Sequence, residues 1–249
     1  MGKTGNVFVF WGRNKDEGSL RETCDTGRYT YTTVIISFLD VFGHGRYHLD
    51  LSGHDVSAVG ADIKHCQSTG KFVFLSIGGF GGQYSLPTRS RPFGDAYVDG
   101  INFFIDGAAG ARPENYDELA RRLWDYNKAY RGRTPVQLSA TPRCGYPDRR
   151  VERALATRLF NRIFVRFYDD PHCAAHLEQE WDRWAAAQPH AQIYLGLPAS
   201  ERKVGYVHPK NLHAVIPVVQ KAANYGGVVI WERYEDKRTG YSTYAIQWA

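Results

Sequence analysis

Several residue patterns are scarce or missing in this sequence, and each absence narrows the possible functions. The chain of 249 residues has four cysteines and one methionine, and no two cysteines form a Cys-x-x-Cys pair, which argues against a zinc or redox site. No apolar run approaches the roughly 20 residues that cross a bilayer. We therefore expect a soluble protein with no metal, no cofactor and no membrane partner.

The charge balance favours acidic partners. The formal net charge is +5, which suits carboxylate-lined clefts, anionic glycans or nucleic acid. The basic residues are scattered and form no RNA-recognition or zinc-finger motif, so nucleic acid is not an expected partner.

The four cysteines allow three disulfide pairings. The pairing of sequence neighbours joins Cys24 to Cys66 and Cys144 to Cys173 and closes two loops of moderate length. Disulfides would place the mature protein outside the cytosol. The start Met1–Thr4 has no apolar leader, which predicts a processed chain without its signal peptide.

The apolar residues that are present predict a large α/β core. Apolar residues make up 43% of the chain and aromatic residues 14%, enough for a packed interior. Continuous β-branched and aromatic runs predict eight strands buried on both faces. These runs are Val7–Trp11, Thr33–Phe38, Phe72–Ile77, Gly100–Ile105, Val136–Ala140, Ile163–Tyr168, Ile193–Leu197 and Val228–Trp231.

Amphipathic helical patterns alternate with these strands, and the alternation predicts a single (βα)8 TIM barrel over residues 1–249. The helical patterns are Val56–Gln67, Asn115–Tyr130, His176–Ala187, His208–Lys221 and Tyr241–Ile246. The interval Gly78–Asp99 is rich in glycine and proline and shows no helical pattern. We therefore expect the crossover helix between the third and fourth strands to be missing or shortened.

The expected functional end of the barrel collects aromatic residues around one carboxylate. Function in a TIM barrel lies on the loops after the carboxyl ends of the strands. That rule selects Trp11, Phe38, Gly78–Gly79, Asp106, Tyr168 and Trp231. Aromatic faces around an acid are typical of a carbohydrate cleft, although Trp11 and Phe38 could equally be core residues.

Several motifs resemble one known family, the plant class III chitinases of glycoside hydrolase family 18. The motifs are Phe72–Gly79, Asp99–Asp106, Ala140–Cys144 and Val165–Tyr168. Within that family the sequence is most similar to the cereal xylanase inhibitor proteins. The segments that suggest this are Phe10–Lys15, Phe38–Gly43, Leu49–Asp55, Arg91–Ala96 and Val207–Asn211.

The resemblance implies a chitinase site that has lost its acids. Active members carry D-G-x-D-x-D-x-E on the fourth strand, where the final Glu protonates the glycosidic oxygen and the Asp before it orients the substrate's acetamido group. Position by position, Asp99 matches the first acid, Asn102 replaces the second, Phe104 the third, and Asp106 the catalytic Glu. Because Asp106 is one methylene shorter, its carboxyl would be displaced by about 1 Å, which can lower a rate about 100-fold.

Two further positions complete that comparison. Tyr168 matches the family's assisting tyrosine, whereas Arg166 stands where chitinases tend to have an amide. We expect chitinase activity to be absent or vestigial, with Asp99, Asp106 and Tyr168 as remnants of the site. Trp11, Phe38, Phe104 and Trp231 would be remnants of the sugar cleft.

The inhibitor members of the family imply contacts outside this cleft. The basic loop after the long helix, with Lys128, Arg131 and Arg133, corresponds to the loop that plugs family 11 xylanases. The position expected to be Arg is Ala129 here, which makes family 11 inhibition uncertain. Lys210 and Asn211 keep the residues assigned to family 10 recognition. The alternative for each is a solvated surface residue.

Together these features predict a secreted, extracellular plant-defence protein of the apoplast that inhibits microbial endo-1,4-β-xylanases and is not an enzyme. We expect a monomer, and weak glycan binding is compatible with the remnant cleft. A weak chitinase, a carbohydrate-binding or storage protein and an inhibitor of another hydrolase such as α-amylase stay open, because one scaffold can host different partners through its loops.

Overall fold

The protein folds as a closed barrel of eight parallel strands. A computed structural model describes residues 3–25, 31–43, 46–79, 93–107, 115–129 and 134–249. Its strands are β1 Val7–Trp11, β2 Thr33–Gly43, β3 Arg46–Leu49, β4 Phe72–Gly79, β5 Gly100–Ile105, β6 Gln137–Ala140, β7 Arg162–Arg166, β8 Gln192–Pro198 and β9 Tyr225–Trp231. The order is β1-β9-β8-β7-β6-β5-β4-β2, and β1 also pairs with β2, which closes the sheet.

The TIM barrel predicted from the sequence is thereby confirmed, with all eight predicted strands present. β1 and β9 are buried at every residue, as expected for parallel strands covered on one side by helices and on the other by the barrel interior. Strand ends differ from the predicted ones by up to five residues. For example, the strand predicted to end at Tyr168 ends at Arg166, and β9 begins at Tyr225 rather than Val228.

A hairpin at the end of β2 was not predicted. β2 continues past the barrel to Gly43 and pairs antiparallel with β3, where Leu39 faces Leu49 and Val41 faces His48. The register shifts between Leu39 and Val41, so an irregularity in the strand coincides with the point where it leaves the barrel.

The helices lie between the strands on the outside of the barrel. They are α1 Leu20–Asp25, α2 Val56–Ser68, α3 Tyr116–Ala129, α4 Glu152–Leu155, α5 Pro171–Ala175, α6 Leu177–Ala187, α7 Leu212–Val219, α8 Arg233–Thr239 and α9 Tyr241–Ala245. The longer helices follow the predicted patterns. Sequence periodicity missed α1, α4, α5 and α8, since helices of four to seven residues are too short to show a helical period.

The crossover between β4 and β5 is described only at its two ends. Gly78 and Gly79 belong to β4, and no helix occurs within residues 93–99. Residues 80–92, on which the expected absence of a crossover helix mainly depends, lie outside the described residues.

Alternation along the strands divides the apolar residues into two layers. Val7, Val9 and Trp11 of β1 belong to the larger cluster between strands and helices. Phe8 and Phe10 of the same strand belong to a smaller, mostly aromatic cluster. This second cluster takes residues of opposite parity from seven strands or their ends, so it fills the barrel interior.

Two disulfides tie outer elements together. Cys24 of α1 is bonded to Cys66 of α2, and Cys144, after β6, is bonded to Cys173 of α5. These are the neighbouring pairs expected from the sequence. In the described ranges, no helix combines the length and apolar character needed to span a bilayer.

Candidate functional site

Aromatic side chains fill the carboxyl-terminal end of the barrel. Phe104, at the end of β5, is fully buried. Its ring stacks on Trp231 at 5.5 Å and contacts Phe38 at 4.9 Å and Phe10 at 5.8 Å. Tyr168 also stacks on Trp231, with ring centres 5.8 Å apart. Since Phe38, Phe104 and Trp231 are all buried, they pack against one another rather than present open faces to a sugar.

Trp11 does not join this group. Its ring lies in the outer core layer, where the indole Nε1 donates to the Gly18 carbonyl at 2.9 Å and the ring packs 4.5 Å from His54. Its assignment to the remnant sugar cleft is therefore corrected to the alternative, core packing. The reason is that β1 ends with Trp11 on the helix-facing side of the strand, whereas Phe10 faces the interior.

Asp106 lies at the barrel mouth between two arginines. Its Oδ1 accepts hydrogen bonds from Nε and Nη2 of Arg143 at 2.9 and 2.7 Å and from Nη2 of Arg166 at 3.0 Å. The side chains of Asp106 and Arg166 are only 9% and 5% exposed, whereas that of Arg143 is 46% exposed. One carboxylate thus faces two cations.

This environment fixes the protonation state of Asp106. Burial by itself raises the pKa of the carboxyl, but the hydrogen bonds and charges of Arg166 and Arg143 outweigh it and hold the pKa below the ordinary value of 3.8. A general acid needs a pKa near the working pH so that it holds a proton to donate. Asp106 is instead a carboxylate throughout the neutral range.

Arg166 also covers the aromatic group. Its guanidinium carbon lies 4.4 Å from the centre of the Phe104 ring, within range of a cation–π interaction. The neighbouring Tyr168 hydroxyl is buried, and among the described residues it has no hydrogen-bond partner. Burial, the largest effect, raises the pKa of Tyr168, so its hydroxyl stays protonated.

Asn102 holds three strands together inside the barrel. Its Oδ1 accepts from the hydroxyls of Ser76 on β4 and Thr141 after β6, both at 3.0 Å. Its Nδ2 donates to Thr141 at 2.8 Å and to Ser139 on β6 at 3.2 Å. Asn102 is fully buried, so these bonds satisfy an amide that would otherwise be costly to bury.

Asp99 is placed at the opposite end of the barrel from Asp106. It directly precedes β5, and its Oδ2 accepts from the Val73 backbone N–H at 2.8 Å and from Gln67 Nε2 at 3.1 Å. Strand residues rise about 3.3 Å each, so the seven-residue spacing separates the two acids by roughly 23 Å. Asp99 therefore anchors α2 to β4 and is far from the barrel mouth.

A second acidic pair lies beside the mouth and was not predicted. The Glu232 carboxylate, next to Trp231, caps the first turn of α8. Burial, followed by the charge of Glu17, raises the pKa of Glu232 to about 7. Glu17 is fully buried, where it accepts from the Gly12 N–H at 2.8 Å and lies 3.0 Å from Nε2 of His54.

The outer basic residues differ in their surroundings. Lys128, in the last turn of α3, pairs with Asp125 at 2.9 Å, and Ala129 ends that helix. Arg131 and Arg133 lie outside the described residues. Lys210 and Asn211 are both exposed in a short 3-10 helix directly before α7. Within the part of the chain that the structure describes, no carboxylate lies within ion-pair distance of Lys210.

Comparison with known proteins identifies the family of this chain. The chain is 53% identical over 279 residues to xylanase inhibitor protein 1 of rice, Oryza sativa subsp. japonica, covering 100% of this chain and 90% of the relative. The chain belongs to the plant chitinase-like xylanase inhibitor family. It is also 38% identical over 271 residues to acidic endochitinase SE2 of sugar beet, Beta vulgaris, with 95% and 89% of the two chains covered.

A solved structure agrees with this membership. A xylanase–α-amylase inhibitor protein crystallised with trehalose superposes with a TM-score of 0.86 at 36% identity, over 97% of this chain and 98% of the other. No protein-family model matched the sequence. Among the described residues of this family member, no group of three or more His, Cys, Asp or Glu is arranged to hold a metal ion.

Two residues that define the mouth were missed at the sequence level. Arg143 follows β6, and Arg166 ends β7 and was noted only as an unusual replacement. Both arginines are needed to explain why Asp106 stays ionised. A weak signal existed, because basic residues at the ends of two adjacent strands must meet the acid at the end of β5. Glu17 and Glu232 are 215 positions apart, and only closure of the barrel brings them together.

Proposed function

We propose that this protein inhibits microbial endo-1,4-β-xylanases by docking on their active-site clefts, and that it does not hydrolyse chitin. We further propose that it is secreted and acts in plant defence. The relationship to the rice xylanase inhibitor protein supports the inhibitory activity. The two disulfides support an extracellular location.

The observation that carries the loss of hydrolysis is the Arg143–Asp106–Arg166 arrangement. Glycoside hydrolysis needs an acid that protonates the leaving oxygen. Asp106 stands in the position expected for that role, and two guanidinium groups hold it ionised. Phe104 fills the neighbouring position with a buried ring, so the place for an acetamido-binding carboxylate is also lost.

Chitin oligomers directly test the proposed loss of hydrolytic activity. We expect no turnover of chitotetraose at pH 5 or pH 7. Turnover that disappears in Asp106→Ala would show that the acid still works and would refute the proposed inactivity.

The inhibitory contact is proposed at Lys210 and Asn211. Retaining xylanases hold two carboxyl groups about 5 Å apart, and an exposed ammonium without a partner can donate charge-assisted hydrogen bonds to such a pair. Lys210 meets this requirement better than Lys128, whose ammonium is already 2.9 Å from Asp125. We therefore propose family 10 xylanases as the main target, with family 11 inhibition depending on the loop that contains Arg131 and Arg133.

Titration into family 10 and family 11 xylanase assays tests the proposal. Charge-assisted hydrogen bonds are worth about 1.5–3 kcal/mol, so Lys210→Ala should raise the inhibition constant for a family 10 enzyme by about 10- to 100-fold. The matched control is Lys221→Ala, which removes another exposed lysine just beyond the far end of α7 and should change inhibition less than about twofold. No inhibition of either enzyme at micromolar protein would refute the proposed function.

One comparison favours a second candidate, inhibition of α-amylase. The similar solved structure is described as a xylanase–α-amylase inhibitor protein. An α-amylase assay run beside the xylanase assays, with Lys210→Ala included, would separate the two activities. If Lys210→Ala weakens xylanase inhibition and leaves amylase inhibition unchanged, the two enzymes use different surfaces of the barrel.

A further inference from the structure

Two histidines hold the backbone of the turn that carries Lys210. The Lys210 N–H donates to Nδ1 of His208 at 3.2 Å, and the Lys210 carbonyl oxygen lies 2.5 Å from Nδ1 of His213. Because a carbonyl oxygen can only accept, Nδ1 of His213 carries the hydrogen and donates it. The turn itself is a 3-10 helix of three residues, Pro209–Asn211. Helical turns this short are marginal by themselves in water, so these side chains stabilise it.

Trp248, in the segment after α9, packs against the ring of His213. The two ring centres are 6.1 Å apart and the ring planes are tilted by 52°, a separation at which aromatic rings attract each other. Trp248 is partly buried against the outer core layer, whereas His213 is exposed. The indole therefore restricts the rotamers of a histidine that would otherwise move freely in solvent.

Trp248 is fixed in turn by two other parts of the chain. Nε2 of Gln220, directly after α7, donates to the Trp248 carbonyl, which ties the indole to the helix that carries His213. Nζ of Lys3 lies 5.0 Å from the centre of the indole ring, within range of a cation–π interaction, and donates to the Gln247 carbonyl. These contacts keep Trp248 in the place where it meets His213.

A fixed turn matters because the side chain of Lys210 is long and exposed. A lysine ammonium is a point charge on a flexible four-carbon stem, so its direction depends on the backbone that carries it. Ordering that backbone at the moment of binding would lower the affinity, whereas a turn that is ordered beforehand avoids this cost.

We propose that His213 and Trp248 are positioning residues for Lys210. Trp248 holds the ring of His213, and the Nδ1–H of that ring fixes the turn that presents the ammonium to the xylanase. This inference rests on the proposed inhibition through Lys210. It adds two residues that affect inhibition without themselves donating to the carboxylates of the enzyme.

Inhibition of a family 10 xylanase by a set of variants tests the proposal. His213→Leu removes one hydrogen bond and should raise the inhibition constant about 3- to 10-fold. Trp248→Ala removes one aromatic contact and should raise it about 2- to 5-fold. His213→Asn should inhibit like the wild type, because its amide N–H can donate to the same carbonyl. In the Lys210→Ala background, His213→Leu should have no further effect, since the two residues act as one unit.

The matched control is His176→Leu. Nδ1 of His176 lies 3.1 Å from the His172 carbonyl, the same kind of contact between a histidine ring and the backbone, directly before α6. The substitution has the same size and polarity change as His213→Leu and lies at the start of a different helix. It should change the inhibition constant by less than about twofold.

Hydrogen exchange of the free protein supplies a readout that needs no xylanase. The backbone amides of residues 208–213 should exchange faster in His213→Leu and Trp248→Ala, and at the wild-type rate in His213→Asn and His176→Leu. His213 is exposed, so its variants give a result even if Trp248→Ala does not fold.

The outcomes separate this inference from the proposed function. Absence of inhibition by the wild type would refute the proposed function and this role together. Normal inhibition by the wild type and by His213→Leu would overturn the positioning role alone. Further weakening by His213→Leu in the Lys210→Ala background, or unchanged exchange of residues 208–213 in both variants, would also overturn it.

Discussion

Replacing Asp106 by asparagine tests whether the barrel mouth is an ion-pair site rather than an acid site. The change keeps the size of the side chain and removes its charge. Arg166, with 5% of its side chain exposed, would then be a buried cation with no carboxylate partner among the described residues. Removing one partner of a buried ion pair typically costs about 3–5 kcal/mol.

We expect a slightly smaller effect for this variant. The asparagine oxygen can still accept a hydrogen bond, and Arg143 is 46% exposed and can be solvated. The free energy of unfolding should fall by about 2–4 kcal/mol at pH 7, which for a chain of this size lowers the melting temperature by roughly 5–15 °C. Urea unfolding followed by tryptophan fluorescence measures the free energy, and calorimetry measures the temperature.

The pH dependence adds a second readout. Since the folded-state pKa of Asp106 is lowered from 3.8, its ionised form stabilises the fold above that value, and this contribution is lost as the pH falls through the folded pKa. The difference between wild type and Asp106→Asn should therefore be constant above about pH 5 and shrink below about pH 4.

Two control variants distinguish the loss of a buried ion pair from the general effect of removing a negative charge. Glu118→Gln breaks the exposed pair of Glu118 with Arg122, whose side chains are 53% and 69% exposed, and should cost less than about 0.5 kcal/mol. Adding Arg166→Met to Asp106→Asn should recover about half of the loss, because it removes the unpaired buried charge. Equal destabilisation by Asp106→Asn and Glu118→Gln, or a loss that stays the same at pH 3, would refute the interpretation.

Three further predictions concern the framework around the mouth. Glu232→Gln should stabilise the protein by on the order of 2 kcal/mol at pH 8 and leave its stability unchanged near pH 4. The reason is that the raised pKa of about 7 makes the stability of the wild type fall as the pH rises from about 4.5 to 7. Melting curves across that pH range measure the difference, and an equal shift at every pH would contradict the prediction. Asn102→Ala should lower the free energy of unfolding by about 2–3 kcal/mol, because Ser76, Ser139 and Thr141 lose a buried hydrogen-bond partner. A loss of less than about 0.5 kcal/mol in a urea titration would show that this hydrogen-bond network contributes little to stability. Removing the Cys24–Cys66 bridge, which spans 42 positions, should cost about 4 kcal/mol by loop-closure entropy, measured as the shift in urea midpoint of Cys24→Ser/Cys66→Ser.

The sequence and the structure agree most closely where local pattern controls the outcome. Each barrel strand is a continuous apolar run that can be buried only between helices and the barrel interior, so the eight strands and their parallel order follow from the runs and their spacing. Gly100–Ile105 was predicted with the observed ends. Short helices such as α4 and α5 were missed because four or five residues carry no readable period.

The replaced acids were also visible in the sequence, but their consequences were not. The sequence showed phenylalanine at position 104 and a shorter acid at 106. It did not show that Phe104 would be packed between Phe38 and Trp231, or that Asp106 would be held by arginines 37 and 60 positions away. The assignment of Trp11 to the cleft was wrong for the same reason, since its side chain faces the outer layer.

What the sequence determined by itself is therefore the barrel and the family, because both depend on local runs and motifs that stay together along the chain. Only the tertiary structure decided the state of the barrel mouth. The protonation of Asp106 depends on distances between residues that are remote in sequence. Those distances are set when eight strands close into a ring and the helices pack around it.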